Sequence, residues 1–161
     1  MVQTTYGFNT PIGQPGGLYD LSWAVVDAFL NEAADGEMKF GMGVVQGATP
    51  GVGVAVPDSD ATAAKFEGIV TNRRTNENTM DGGPVLKNKC TVGVLRYGRI
   101  YGLLAEGADP AYGKAVYLVK TGDDAGCFTD SSSSTVAVKG RFLTGASDGV
   151  AVIELFDQAQ S

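Results

Sequence analysis

The sequence predicts an all-β protein, a small β-barrel or sandwich of jelly-roll-like type with an extended N-terminal arm, and three observations carry that reading. A glycine turn followed by a short apolar or alternating run recurs four times between Met38 and Phe156: Phe40-Gly-Met-Gly-Val-Val45, Thr91-Val-Gly-Val-Leu95, Ala115-Val-Tyr-Leu-Val119 and Gly149-Val-Ala-Val-Ile-Glu-Leu-Phe156. Each run has the length of a strand and is too short for a helix. Turn residues punctuate the chain at roughly 8–12-residue intervals, the rhythm of about seven short strands in a sandwich or barrel. No β-α-β alternation follows Gly36, which argues against a parallel sheet with crossover helices.

Residues 1–36 are read as the arm and residues 37–161 as the body. The first 17 residues carry Pro11, Pro15 and the glycines 7, 13, 16 and 17 among Tyr6, Phe8 and Ile12; such a stretch propagates neither helix nor regular strand. Leu18 to Ala34 admits two conformations. One is a short helix capped by Ser22, with Trp23, Val26 and Leu30 on one face and Asp35-Gly36 ending it; the other is more extended arm.

Strands begin at Met38. Loops are expected at Gly47–Gly53 with Pro50, at Pro57-Asp-Ser-Asp60 and at Asp81-Gly-Gly-Pro84, with a strand over Lys65–Thr71 between the last two. Thr91 to Leu104 reads as a hairpin turning at Arg96-Tyr-Gly-Arg99, where Gly98 supplies a positive φ. Asp109-Pro-Ala-Tyr-Gly113 fits a β-turn with proline second. Asp123-Asp-Ala-Gly126 and Ser131–Ser134 mark exposed loops, and Asp148-Gly149 is a hairpin signal joining Val136–Leu143 to Val150–Phe156. At 161 residues, a domain buries roughly 68–70% of its unfolded surface and needs neither disulfide nor metal to fold.

Chemistry finds little to work with. The chain contains no histidine, the commonest general base, so a Ser-His-Asp triad cannot form. Gly41-Met-Gly-Val-Val-Gln-Gly47 has the spacing GxGxxxG within a strand-like run and is followed by Ala-Thr-Pro, where a phosphate-binding loop needs a helix N-terminus. Close backbone packing in a sheet explains its glycines better. Asp58 with Asp60 and Asp123 with Asp124 fall in turn sequences, and no twelve-residue calcium loop is present around Asp123, Asp124 and Asp130. No catalytic residue, no metal and no cofactor is therefore expected.

Twelve basic residues against eighteen acidic ones give a net charge of −6, which disfavours phosphate backbones and argues against a nucleic-acid partner. No run approaches the ~20 apolar residues of a membrane span, and Met-Val-Gln-Thr-Thr-Tyr6 lacks the pattern of a signal peptide, so no membrane partner and synthesis in a reducing cytoplasm are expected. Cys90 and Cys127, lacking metal-site spacing, are read as a buried pair of reduced thiols. Tyr97, Tyr101, Tyr112 and Tyr117 fall on or beside strands and suit cross-strand packing, with a glycan platform on a virion-associated or adhesin-like module as the alternative. Tyr6, Phe8, Ile12, Leu18, Tyr19 and Trp23 lie where too few apolar neighbours exist for a local core, so an intermolecular groove is their expected destination.

Tyr6-Gly-Phe-Asn-Thr-Pro-Ile-Gly13, Pro15-Gly-Gly-Leu-Tyr-Asp-Leu-Ser22, Asn31-Glu-Ala-Ala-Asp-Gly36 and Lys39-Phe-Gly-Met-Gly-Val-Val-Gln-Gly47 together resemble the opening of the structural cement, or decoration, proteins of tailed bacteriophages. The likeness continues through Phe66-Glu-Gly-Ile-Val70, Val92-Gly-Val-Leu-Arg-Tyr-Gly-Arg-Ile-Tyr101 and Tyr112-Gly-Lys-Ala-Val-Tyr-Leu118 to the final strands. Trp23-Ala-Val-Val-Asp-Ala-Phe29 departs from the pattern in being more apolar. The resemblance implies a non-enzymatic protein on the outer surface of the virion capsid, bound to the major capsid protein at junctions between its subunits and acting as a homo-oligomer, dimer or trimer. Its capsid contacts would come from the six arm residues just named.

Overall fold

A computed structural model of the chain describes residues 13–20, 23–72, 80 and 85–157. Nine strands form among the described residues: β1 (Val25–Asn31), β2 (Gly43–Gln46), β3 (Gly53–Ala55), β4 (Phe66–Val70), β5 (Thr91–Leu103), β6 (Ala115–Val119), β7 (Phe128–Thr129), β8 (Thr135–Phe142) and β9 (Val150–Leu155). A 3₁₀ turn, Ala63–Lys65, leads into β4. The all-β expectation holds.

Five strands close on themselves in the order β1-β3-β2-β4-β5, because β5 pairs back onto β1. The β1–β3 pair is parallel and the other four are antiparallel, with Phe29 opposite Val92, Val45 opposite Ala55, Gly43 opposite Ile69, and Ile69 opposite Leu95. Phe29, Val44, Val54, Val70, Val92 and Val94 pack together in one core cluster with Met38 and Leu86. The second half of β5, from Gly98 to Leu103, pairs with β9, and the sheet continues through β8 and β6 to β7. A parallel bridge between Leu104 and Phe128, with the Ala105 N–H donating to the Phe128 carbonyl at 2.9 Å, carries β7 back to the end of β5. Ile100, Leu118, Phe128, Phe142, Ile153 and Leu155 are buried in the other core cluster.

β5 serves both halves, and this corrects the hairpin expected over Thr91–Leu104. It is one 13-residue strand. Gly98 does have a positive φ, +128°, but the glycine marks the point where the strand leaves β1 and β4 for β9. A second correction concerns Leu18–Ala34, where among the described residues neither helix nor further extended arm forms: Val25–Asn31 is a barrel strand. Its side chains alternate in exposure toward the C-terminal end, with Phe29 and Asn31 buried, and a partner strand on either side outweighs the marginal helical pattern. A third correction moves the turn after Asp109. The Lys114 N–H donates to the Ala111 carbonyl at 3.1 Å, with Gly113 at φ +81°, so the turn lies beyond Pro110.

Other expectations are met. Gly43 sits in β2, where a β-carbon would lie 2.5 Å from Leu118 and 2.8 Å from Phe128, so the glycine run is needed for close packing. Asp148 and Gly149, at φ +51° and +77°, turn the chain between Ser147 and Val150, which exchange two backbone hydrogen bonds. That pattern is the two-residue hairpin turn with both central residues left-handed.

Candidate functional site

The six residues expected to form the binding arm are placed differently from one another. Tyr6, Phe8 and Ile12 lie outside the described residues. Leu18 and Tyr19 are held against the body: residues 16–19 run antiparallel beside the second half of β5, with Leu18 bridged to Ile100. The Gly16 N–H donates to the Tyr101 carbonyl at 2.8 Å, the Tyr101 N–H to Gly17 at 2.9 Å, and the Tyr19 N–H to Arg99 at 3.0 Å. Tyr19 meets Tyr101 edge to face with ring centroids 5.9 Å apart, a preferred aromatic geometry.

An ion-pair chain reinforces this clip. Arg99 reaches Asp20 at 3.0 Å and Glu154 at 2.9 Å, and Glu154 also accepts from Arg141 at 3.3 Å. The two carboxylates hold the Arg99 guanidinium above its ordinary pKa, chiefly by accepting its hydrogen bonds, Glu154 first and Asp20 next. Arg141 in turn lies over the Tyr112 ring, 5.7 Å from its centroid. Surface pairs of this kind stabilise little individually, but here they fix where residues 18–20 run.

Trp23 is different. It is 80% exposed and has φ +38°, a left-handed conformation that a bulky side chain adopts only under constraint. Its backbone crosses β5 at the bend, where a β-carbon on Gly98 would lie 3.2 Å from Ala24 and 3.3 Å from the Trp23 carbonyl. Val25, Tyr97 and Phe156 are exposed around it. Two concavities flank the indole. One, of about 190 Å³, is lined by Trp23, Tyr97, Arg99, Glu154 and Phe156; the other, of about 500 Å³, by Trp23, Val25, Asp27, Arg96, Tyr97 and Asp157. Arg96 is itself paired, 3.7 Å from Asp27 and 3.4 Å from Glu67.

Val25 and Phe156 were not singled out by the sequence. Val25 follows Trp23 in a run whose face depended on an undecided helix, and Phe156 looked like the last core position of a strand. The only signal was position: each lies at or just beyond the end of a strand, where side chains leave the core. The four strand tyrosines do not assemble into one platform. Tyr97 joins Trp23, Tyr101 lies under Gly13 and Tyr19, Tyr112 pairs with Arg141, and Tyr117 is on β6.

Side chains of the acidic and serine-rich loops accept hydrogen bonds from backbone N–H groups. Asp58 accepts the Asp60 N–H at 2.9 Å, Asp124 the Glu106 N–H at 3.1 Å, and the Ser131 hydroxyl the Ser133 N–H at 3.4 Å. Among the described residues no group of three or more His, Cys, Asp or Glu side chains is arranged to hold a metal ion. Both cysteines are free; Cys127 is buried and Cys90 half-buried. Burial pushes the Cys127 thiol up to about 11, with Asp124 adding to the shift and Lys39 opposing it. An apolar groove of about 470 Å³ lies elsewhere, between Pro15, Met38, Phe40, Leu86 and Leu103.

Comparison with known proteins gives a family and a fold. Residues 2–156 match the family model described as structural cement protein (E217 gp24/Pam3 gp6). A chain in the solved capsid of Myoviridae phage XM1 is similar over 96% of both chains, with a TM-score of 0.73 and 20% sequence identity. At that identity the likeness speaks for the fold. No curated protein matched the sequence.

Proposed function

Because this chain belongs to the phage structural cement protein family and so has a structural role in a phage capsid, we propose that it binds the outer surface of the mature head at junctions between major capsid proteins and stabilises the shell against internal pressure. It works without catalysis. The observation that carries this reading is the family match over residues 2–156, which takes in the N-terminal segment as well as both halves of the β body. The physics is linkage: a protein that binds only the assembled lattice stabilises it by RT ln(1 + [L]/Kd) per site, and many copies multiply that term. Homo-oligomerisation as a dimer or trimer would let several N-terminal segments, with Tyr6, Phe8 and Ile12, engage neighbouring capsid subunits at once and raise their effective concentration.

The decisive experiment mixes the purified chain with heads lacking their cement protein, from the phage that encodes it. Ordered extra density on the outer surface by cryo-electron microscopy, together with a higher temperature of head rupture, is the expected result. Heads that stay bare at saturating protein would refute the proposal.

A further inference from the structure

We propose that the face formed by Trp23, Val25, Tyr97 and Phe156 is a docking surface for the major capsid protein, with Trp23 as its anchor. The inference rests on the capsid-binding reading above and extends it from the N-terminal segment to the body.

The first argument is that Trp23 is disfavoured twice where it stands. It holds a left-handed backbone, φ +38°, and exposes 80% of its surface. A fold gains nothing from either, since a glycine would relieve the first and a polar residue the second. Strained, solvent-facing aromatics of this kind belong to binding sites, where indole is the most enriched anchor.

The second argument concerns how a partner would attach. β1 closes onto β5, and β7 is joined to Leu104, but β3 meets β1 only at Leu30 and Asn31, so among the described residues 25–29 pair with β5 alone. The exposed side chains therefore sit beside a short strand edge, and a partner has both side-chain and backbone contacts to use. Charge is also settled in advance, because Arg96 is paired with Asp27 and Glu67, and Arg99 with Asp20 and Glu154. A complementary partner brings an apolar pocket able to take an indole, with little net charge at its rim.

Area decides between a second copy and the capsid. At the stated exposures the four side chains offer roughly 400 Å², about half of the ~800 Å² that one side of a standard interface buries. A dimer in free solution held by this face alone would be weak. On a capsid the same face would add to the contacts proposed for the N-terminal segment, so it need not supply a whole interface by itself.

The test uses the intact chain and heads lacking their cement protein. Wild-type protein should decorate them; if it does not, the capsid reading fails and this inference falls with it. Given decoration, Trp23→Gly is expected to melt at the same temperature or higher, because the strain is relieved, yet to bind at least ten-fold more weakly. Tyr97→Ser should weaken binding in the same direction, whereas Tyr112→Ala, 70% exposed on another part of the surface, should change affinity less than two-fold. Trp23 is the only tryptophan in the chain, so its oxidation by hydroxyl radicals, read by mass spectrometry, should fall when the protein is head-bound. Three results would overturn the proposal: full-affinity decoration by both Trp23→Gly and Tyr97→Ser, unchanged Trp23 oxidation on heads, or a wild-type oligomer that Trp23→Gly converts to monomers in sedimentation. The last would assign the face to a second copy.

Discussion

Asn31, fully buried at the end of β1, is a polar side chain whose amide oxygen and nitrogen each have a hydrogen-bond partner. Its Oδ1 accepts the Ala33 N–H and its Nδ2 donates to the Lys87 carbonyl, both at 2.9 Å, while its backbone exchanges bonds with Cys90 and Lys89. Asn31→Ala would leave the Ala33 donor without its partner, at about 1–3 kcal/mol, while the Lys87 carbonyl would keep its bond from the Cys90 N–H. We expect a loss of ~1–3 kcal/mol in urea unfolding. Cys127 gives a prediction with a sign. Its pKa rises from the ordinary 9.0 to about 11 on folding, so between those values the native state keeps a proton that the unfolded chain releases. Stability attributable to Cys127 is thus intact below about pH 9 and is lost as pH rises toward 11, by roughly 2–3 kcal/mol at the far end. Cys127→Ser should flatten that decline in denaturant titrations across pH 8–11. Equal slopes in the two proteins would remove the thiol as the cause.

At the scale of the element, β5 shows what could and could not be read from sequence. Its two halves, before and after Arg96-Tyr-Gly-Arg99, were both legible as apolar strand-length runs, because period and β-branched content are local properties. Their continuity was not. Glycine with positive φ is equally at home in a hairpin turn and in a bend, and only the partners on either side, β1 and β4 before Gly98 and β9 after it, decide between them. The same holds for β1, whose helical spacing of Trp23, Val26 and Leu30 was real but yielded to strand pairing with Thr91–Tyr97. The candidate site was half legible for a related reason: Trp23 and Tyr97 were noticed as aromatics, but their meeting depends on the crossing of Ala24 over Gly98. Gly98→Ala is therefore expected to cost ~2–3 kcal/mol from backbone strain, with further crowding against Ala24 at 3.2 Å, and to alter the emission of the sole tryptophan in the folded protein. A variant with wild-type stability and an unchanged spectrum would show that the bend does not set the position of Trp23.

At the scale of the molecule, the division of labour between N-terminal segment and body is what the fold makes testable. The sequence suggested an arm through residue 36, and residues 16–19 and β1 together show where a cut would do structural damage. β1 contributes Phe29 and Asn31 to the buried interior, with Ala33 just beyond it, and pairs with both β3 and β5. Removing residues 1–36 would open the five-strand ring and expose its core, so that truncation should fail to give a cooperatively melting protein. Removing residues 1–12 leaves the Gly16–Tyr19 clip, the Asp20–Arg99 pair and all of β1 in place. We predict that the shorter truncation melts within about 2 °C of the full chain, since a 161-residue domain shifts by roughly 2–4 °C per kcal/mol. Its binding to heads should nevertheless weaken by at least ten-fold, because Tyr6, Phe8 and Ile12 are proposed to supply interface area. The two truncations measured side by side separate the explanations. If residues 1–12 pack into their own body, the melting temperature drops and any weakened decoration follows from instability. If the short truncation keeps both its melting temperature and its affinity, capsid recognition lies wholly on the body, and the face around Trp23 would have to carry it alone.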